Sequence, residues 1–387
     1  METALTGMSG FGDRAEEVRK RWAWVEPSVW TERMLTKLEN WVKGDKWVGL
    51  MDMVCQPRNL QSAFKRVKAN HGSAGADGTS IDNYKQCIEQ NLGNLSARIM
   101  AGRYIPQVVK RIWIPKTGSP GKRALGIPTV EDRVAQTALR NVIAPIFEQD
   151  FSSYSYGYRP RRGVKDALKR VEQLLADGLG WVLDADVKSY FDTIPHEGLM
   201  ELVKTKIGDE GVLFLIQAYL NQEVTDGVRK WKQKTGTPQG GVVSPLLSNI
   251  YLNPLDHKME KLGYEMVRYA DDFIVLCRSE GEAQRALEEV RDWMVKAGLQ
   301  LHPEKTRIVD ACKEGFEFLG YHFENGRKWP KKRSLEKQKN AIEKSEVNKT
   351  AKVDDFGTVS AKGLGLEAEK RFAGKEVDKS ANCLGIW

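Results

Sequence analysis

Asp271 and Asp272 stand side by side in "MVRYADDFIVL" (266–276), between two apolar, strand-forming runs. Two neighbouring carboxylates cannot both be ordinary core residues, because a buried, unpaired carboxylate is costly. Either the pair lies in solvent, as aspartates in turns commonly do, or a cation offsets it. A second acidic stretch, "WVLDADVKSYFDTIP" (181–195), sharpens the choice. Strand alternation puts Trp181, Leu183, Ala185 and Val187 on one face and Asp184 and Asp186 on the other. If acidic strand and acidic hairpin are neighbours in one sheet, Asp186, Asp271 and Asp272 form a three-carboxylate cluster. Such a cluster suits Mg²⁺, which takes hard oxygen ligands and keeps positions for water and phosphate. Two such ions about 3.5–4 Å apart activate an attacking 3′-hydroxyl and stabilise a leaving pyrophosphate.

The surrounding elements must hold these groups. Residues 14–50 hold several tryptophans among alternating charges and read as helical, with Gly44 as a stop. Residues 57–100 read as helices around the turn "NHGSAGADGTS". "RIWIP" (111–115) and "RALGIP" (123–128) are short β-type runs flanking the turn "KTGSPGK". A helix follows with Thr129 as N-cap, then an amphipathic helix over 164–178. Residues 181–187 form a strand, 196–208 and 210–222 helices, 281–298 a further helix, and "FEFLGYHF" a final strand region. Strand, helices, hairpin, helix, strand over 180–323 is the order of a split βαβ, ferredoxin-like sheet with helices on one face. From Ser334 the chain is polar and poor in large apolar residues, and a frayed helix and mobile tail are expected there.

A chain of 387 residues suggests two or three domains. Its net charge of +8 favours a polyanionic partner, although solubility alone accounts for a modest surplus. No apolar run approaches the roughly 18–20 residues a membrane span needs, and the start shows no secretory signal. The five cysteines (55, 87, 277, 312, 383) are scattered, matching neither a disulfide framework nor a zinc site. The expectation is a reduced, cytoplasmic protein without a membrane partner, whose metal is held by oxygen.

At this point the pattern resembles the reverse transcriptases encoded by group II introns, the intron maturases. The resemblance spans roughly residues 28–333, through "RIWIPKTGSPGKRALGIPTVEDRVAQTAL", "SYGYRPRRGVKDAL", "DADVKSYFDTIPH", "GTPQGGVVSPLLSNIYLNPLD", "VRYADDF", "GLQLHPEKTRIV" and "FEFLGYHF" in the family's order. It implies an α+β, right-hand polymerase fold. The parts would be an N-terminal helical extension (1–56), fingers (57–165), a palm with a ferredoxin-like sheet (166–325), and an incomplete thumb with a flexible tail (326–387). It implies an RNA-directed DNA polymerase using two Mg²⁺ ions, with an RNA template or intron RNA, a DNA primer and deoxynucleotides as partners. Asp186 would be the first metal ligand with the Val187 carbonyl beside it, and Asp271 and Asp272 the hairpin pair, Asp271 the firmer ligand. Asp184 shares the face of Asp186 but lacks the family's spacing to Phe191.

The resemblance also implies that Tyr269 and Ala270 line the site near the primer end. Phe191 would lie under the incoming sugar and exclude a 2′-hydroxyl. Lys116 and Arg123, helped by Arg111, would touch the triphosphate, an apt task for such cations. Lys305 would protonate the leaving pyrophosphate. In "PQGG" (238–241), Pro238 fixes the loop, the glycines let backbone approach a ligand, and Gln239 supplies an amide near template and nucleotide. The basic, aromatic stretches 155–170 and 320–333 suit an RNA–DNA hybrid or structured RNA. Beyond "WPKKRS" the helical stripe expected of the family's thumb is weak, with only Leu335, Ile342 and Val347 as large apolar residues over 334–350. That weakness leaves two alternatives beside the polymerase: an intron RNA-binding splicing cofactor, or an inactive, truncated remnant.

Overall fold

The computed structural model describes residues 16–42, 44–115 and 121–331. Lys116 and its expected turn lie outside the described residues, as does all of the expected incomplete thumb and tail beyond Lys331.

Three sheets organise the chain. β1 (Val109–Pro115) and β2 (Lys122–Ile127) form an antiparallel hairpin in which Trp113 faces Ala124. β3 (Trp181–Asp186) opens a second sheet. β4 (Glu223–Thr225) adds to β1 in parallel, and β5 (Lys230–Lys232) completes the order β2-β1-β4-β5. β6 (Glu265–Tyr269), β7 (Asp272–Cys277) and β8 (Arg307–Asp310) join β3 in the order β6-β7-β3-β8, every neighbouring pair antiparallel. The hairpin's second strand lies between its first and β3, and this is the split βαβ order that the sequence predicts.

Two expectations are corrected here. The sheet's fourth strand is 307–310, whereas "FEFLGYHF" forms β9 (Phe316–Phe318) and β10 (Tyr321–Glu324) of a separate sheet completed by β11 (Arg327–Pro330). Helices cover not one face but both. Helix Glu280–Lys296 packs on the face of Leu183, Ala185, Phe273 and Val275. Helix Val164–Ala176, with Phe316, Phe318 and Phe323, covers Val182, Val267, Ile274 and Leu276 opposite. Away from its acidic end that second face is apolar too, so it must also be removed from water.

Thr129 caps helix Val130–Glu148 by accepting from Asp132 N–H, as expected. Within the tryptophan-containing segment, helix Glu32–Glu39 stops with Asn40 as C-cap, short of Gly44. The segment around it is anchored by Trp30, whose indole donates to the Asn141 carbonyl at 3.1 Å. Trp47 exchanges main-chain hydrogen bonds with Lys206 and Gly208. Among the described residues no helix is long and apolar enough to cross a membrane.

Candidate active site

The β6–β7 register pairs Tyr269 with Asp272, leaving Ala270 and Asp271 as a two-residue turn. Ala270 takes φ +62°, and Asp271 is not among the positive-φ residues. Positive φ at only the first turn position is where a type II′ hairpin places glycine, so alanine is strained there. The turn is held from outside. Gly157 lies so close that a Cβ on it would come within 2.3 Å of the Ala270 nitrogen. The fully buried Arg268 donates to the Ala270 carbonyl at 2.8 Å. Across the sheet, Asp186 stands directly opposite Asp272.

Asp186, Val187 and Asp271 line one cavity of about 510 Å³, together with Phe191, Gln239, Arg111, Arg123 and Lys305. Acidic groups from β3 and the hairpin thus meet cations from the β1–β2 sheet and the loop before β8. Asp272, Tyr269 and Ala270 are not among the lining residues. Tyr269 packs on the apolar cluster of the far face, and Ala270 is buried. Among the described residues no three acidic, histidine or cysteine side chains are gathered closely enough to hold a metal ion. The expected three-carboxylate cage is therefore not drawn together in this geometry. Asp186 turns instead to the Lys305 ammonium, 2.8 Å from its Oδ2, while the other two carboxylates repel each other and it.

The electrostatics express that repulsion. Burial, and then the Asp186 charge, raise the Asp271 carboxyl above its ordinary range, against the opposing pull of Arg268 and Lys305. Asp272 is pushed up to about 7 by burial first, then by Asp184, Asp271 and Asp186. Asp184 is also raised by burial, moderated by Arg307, whose Nε is 3.4 Å from its Oδ2. Acidic oxygens held at such a cost are relieved by any cation, and the Lys305 ammonium already stands in for one. Asp186, Asp271 and the Val187 main chain therefore fit Mg²⁺ by donor chemistry, with Asp272 behind them.

Phe191 sits at the cavity edge, its ring 5.5 Å from Tyr190 and 6.4 Å from Tyr158. The Gln239 side chain donates to Asp192 Oδ2 at 3.3 Å. Its main-chain carbonyl accepts from Gly126 N–H at 2.5 Å. Gly240 has φ +113°, and a Cβ there would lie 1.8 Å from the Gly126 oxygen. The glycine requirement in "PQGG" is thus set at Gly240 by docking onto β2, a closer constraint than the predicted approach to a ligand. Arg111 lies 4.7 Å from the Trp113 ring and 5.5 Å from that of Trp231.

Sequence reasoning missed Arg268, Gly157 and the helix residues Asn249 and Asp256 behind the turn. An arginine in the middle of an apolar strand was the available signal. It also overcounted phosphate-gripping cations. Arg159 is buried on Glu148 and the Ser152 and Ser155 carbonyls. Arg170 pairs with Glu265, Lys328 with Glu172 and Lys331 with Glu317.

Comparison with known proteins gives the class. A family model described as reverse transcriptase (RNA-dependent DNA polymerase) matches residues 114–323, and the chain belongs to that family. Among its relatives, Protein YkfC of Escherichia coli (strain K12) is 31% identical over 334 residues, an alignment spanning 74% of this chain and 87% of YkfC. The group II intron-encoded protein LtrA of Lactococcus lactis subsp. cremoris is 29% identical over 345 residues, spanning 72% of this chain and 57% of LtrA. A chain of the solved partial Cas6-RT-Cas1–Cas2 complex aligns at 24% identity and TM-score 0.41, over 64% of this chain and 41% of the other.

Proposed function

We propose that the chain is an RNA-directed DNA polymerase of the group II intron type, adding deoxynucleotides to a primer 3′-hydroxyl on an RNA template. The observation that carries this reading is the shared cavity, in which Asp186 and Asp271 face Arg123 and Gln239 brought from different elements. In this reading 57–165 act as fingers and 166–325 as palm. Mg²⁺ ions held by Asp186, Asp271 and the Val187 carbonyl, with Asp272 in support, would activate the hydroxyl and neutralise charge on the departing pyrophosphate.

The chain's own groups supply the rest. Arg123, with Lys116 from the adjoining turn, meets the triphosphate. Gln239 is aimed by Asp192, and Phe191 presents an aromatic face beneath the sugar, where a 2′-hydroxyl would collide. Lys305, 2.8 Å from Asp186 Oδ2, would serve as the proton source for the leaving group. On the other side of β1–β2, a cavity of about 620 Å³ is lined by Ile112, Leu125, Ile127, Arg133 and Arg140. Apolar walls for bases and guanidiniums for phosphates are what a single-stranded RNA template requires.

The test is extension of a primed RNA template with deoxynucleotides and Mg²⁺. Wild type is expected to extend, and Asp186→Asn and Asp271→Asn to drop to background with unchanged circular dichroism. Wild-type extension by either variant would refute the assignment. A folded wild type that extends nothing, yet binds intron RNA, would move the reading to the splicing cofactor.

A further inference from the structure

The feature that the proposed reaction leaves unexplained is the ion pair behind the catalytic turn. Arg268 and Asp256 are both fully buried. Arg268 Nε donates to Asp256 Oδ1 at 2.7 Å, and Nη2 to Oδ2 at 2.5 Å. Its Nη1 donates to Asn249 Oδ1 at 2.9 Å and to the Ala270 carbonyl at 2.8 Å. Asn249 and Asp256 lie seven residues apart, on one face of helix Ser244–Lys261. Asn249 also donates to the Gly157 carbonyl at 2.8 Å, and Gly157 is the residue pressed against Ala270. The same helix begins at Ser244, whose hydroxyl donates to the Pro238 carbonyl of the "PQGG" loop at 2.9 Å.

Stability does not account for this arrangement. A buried ion pair is often replaced by apolar residues at no loss, because desolvating two charges offsets their attraction. What the guanidinium does that no apolar side chain can do is fix a carbonyl. Holding the Ala270 oxygen fixes the plane of the 270–271 peptide, and with it the point from which the Asp271 side chain departs. It does so at a residue whose φ is strained and would otherwise relax.

We propose that Arg268, braced by Asp256 and Asn249, is a positioning residue. It locks the turn to the helix that follows the "PQGG" loop, so that Asp271 and the nucleotide-facing loop keep one mutual geometry. This rests on the polymerase reading of the cavity.

The experiment compares wild type, R268K and the double variant R268M/D256L, in which neither charge is left unpaired. Thermal unfolding, hydrogen exchange over 266–273, and steady-state extension kinetics at varied Mg²⁺ are measured on each. The double variant is expected to unfold cooperatively and to exchange faster over the turn. A displaced reacting group predicts a kcat lower by about 100-fold. Half-saturating Mg²⁺ is expected to rise while the deoxynucleotide KM stays within about twofold, since binding common to ground and transition state is untouched. R268K, which keeps the charge but loses the fork, is expected to fall between. A folded double variant with wild-type exchange and kinetics overturns the proposal. If that variant does not fold, wild-type kcat and Mg²⁺ dependence in R268K overturn it instead. If wild type itself extends no primer, the polymerase reading falls, and the exchange data still decide whether the clamp holds the turn.

Discussion

Asp132 shows how one buried acid can govern a joint. It accepts from the Tyr104 hydroxyl at 2.5 Å, the Gln107 amide at 3.0 Å and the Gln222 side chain at 3.1 Å. It thereby ties the start of helix Val130–Glu148 to the approaches of β1 and β4. Burial pushes it up from 3.8 to about 6, although its hydrogen bonds pull the other way. Between those values the folded chain holds a proton that the unfolded chain has released, so stability falls as pH rises through that window. A shift of this size corresponds to on the order of 3 kcal/mol. In a series of melting temperatures from pH 4 to 8, Asp132→Asn is expected to flatten the decline, and an unchanged slope would reject the assignment. At this scale the sequence was partly legible. Asp186 and Asp271 were marked by alternation and by adjacency, because a carboxylate in an apolar strand demands a reason. Arg268 was not, because a charged residue in a strand reads as facing solvent until its partners on the preceding helix are known.

Among the elements, β3 and the β6–β7 hairpin were legible because a period of two is a strong local signal. Helix Ser244–Lys261 was not singled out. It is buried on nearly all sides and contains Pro245 and Pro254, so it shows neither an amphipathic stripe nor an uninterrupted helical run. The fourth strand was misplaced because "FEFLGYHF" is more apolar than "RIVD", and apolarity alone does not say which sheet a strand joins. The loop "PQGG" supplies the test at this scale. Gly240→Ala adds a methyl against the β2 backbone at a positive φ, a strain of roughly 1–3 kcal/mol or more. The melting temperature is expected to drop by about 5 °C, with a raised deoxynucleotide KM as Gln239 is displaced. Normal stability and KM would show that the loop reseats without β2.

For the whole molecule, the surplus of positive charge overstates what is available to a polyanion. Arg159, with its side chain only 4% exposed, is committed to Glu148, whereas Arg123 lines the cavity. The two should separate in a salt titration of deoxynucleoside triphosphate binding to the primed-RNA complex. Arg123→Ala is expected to reduce the slope of log K against log salt by about one. Arg159→Ala should leave the slope alone and lower the melting temperature by roughly 5 °C, the cost of stranding a buried charge. Equal slopes for Arg123→Ala and wild type would remove Arg123 from the triphosphate site. The order of the blocks along the chain made the family readable at this scale. The pairing of cations with acids distant in sequence did not follow from it, since it depends on which surfaces the fold brings together.

The contact between Gly126 and Gln239 joins the β1–β2 hairpin to the "PQGG" loop main chain to main chain, at 2.5 Å. A joint of that kind contains no side-chain volume to exchange. Substitutions around it can recolour the walls of the cleft, its charge or its greasiness, while the gap between the two layers stays set, as by a spacer of fixed thickness.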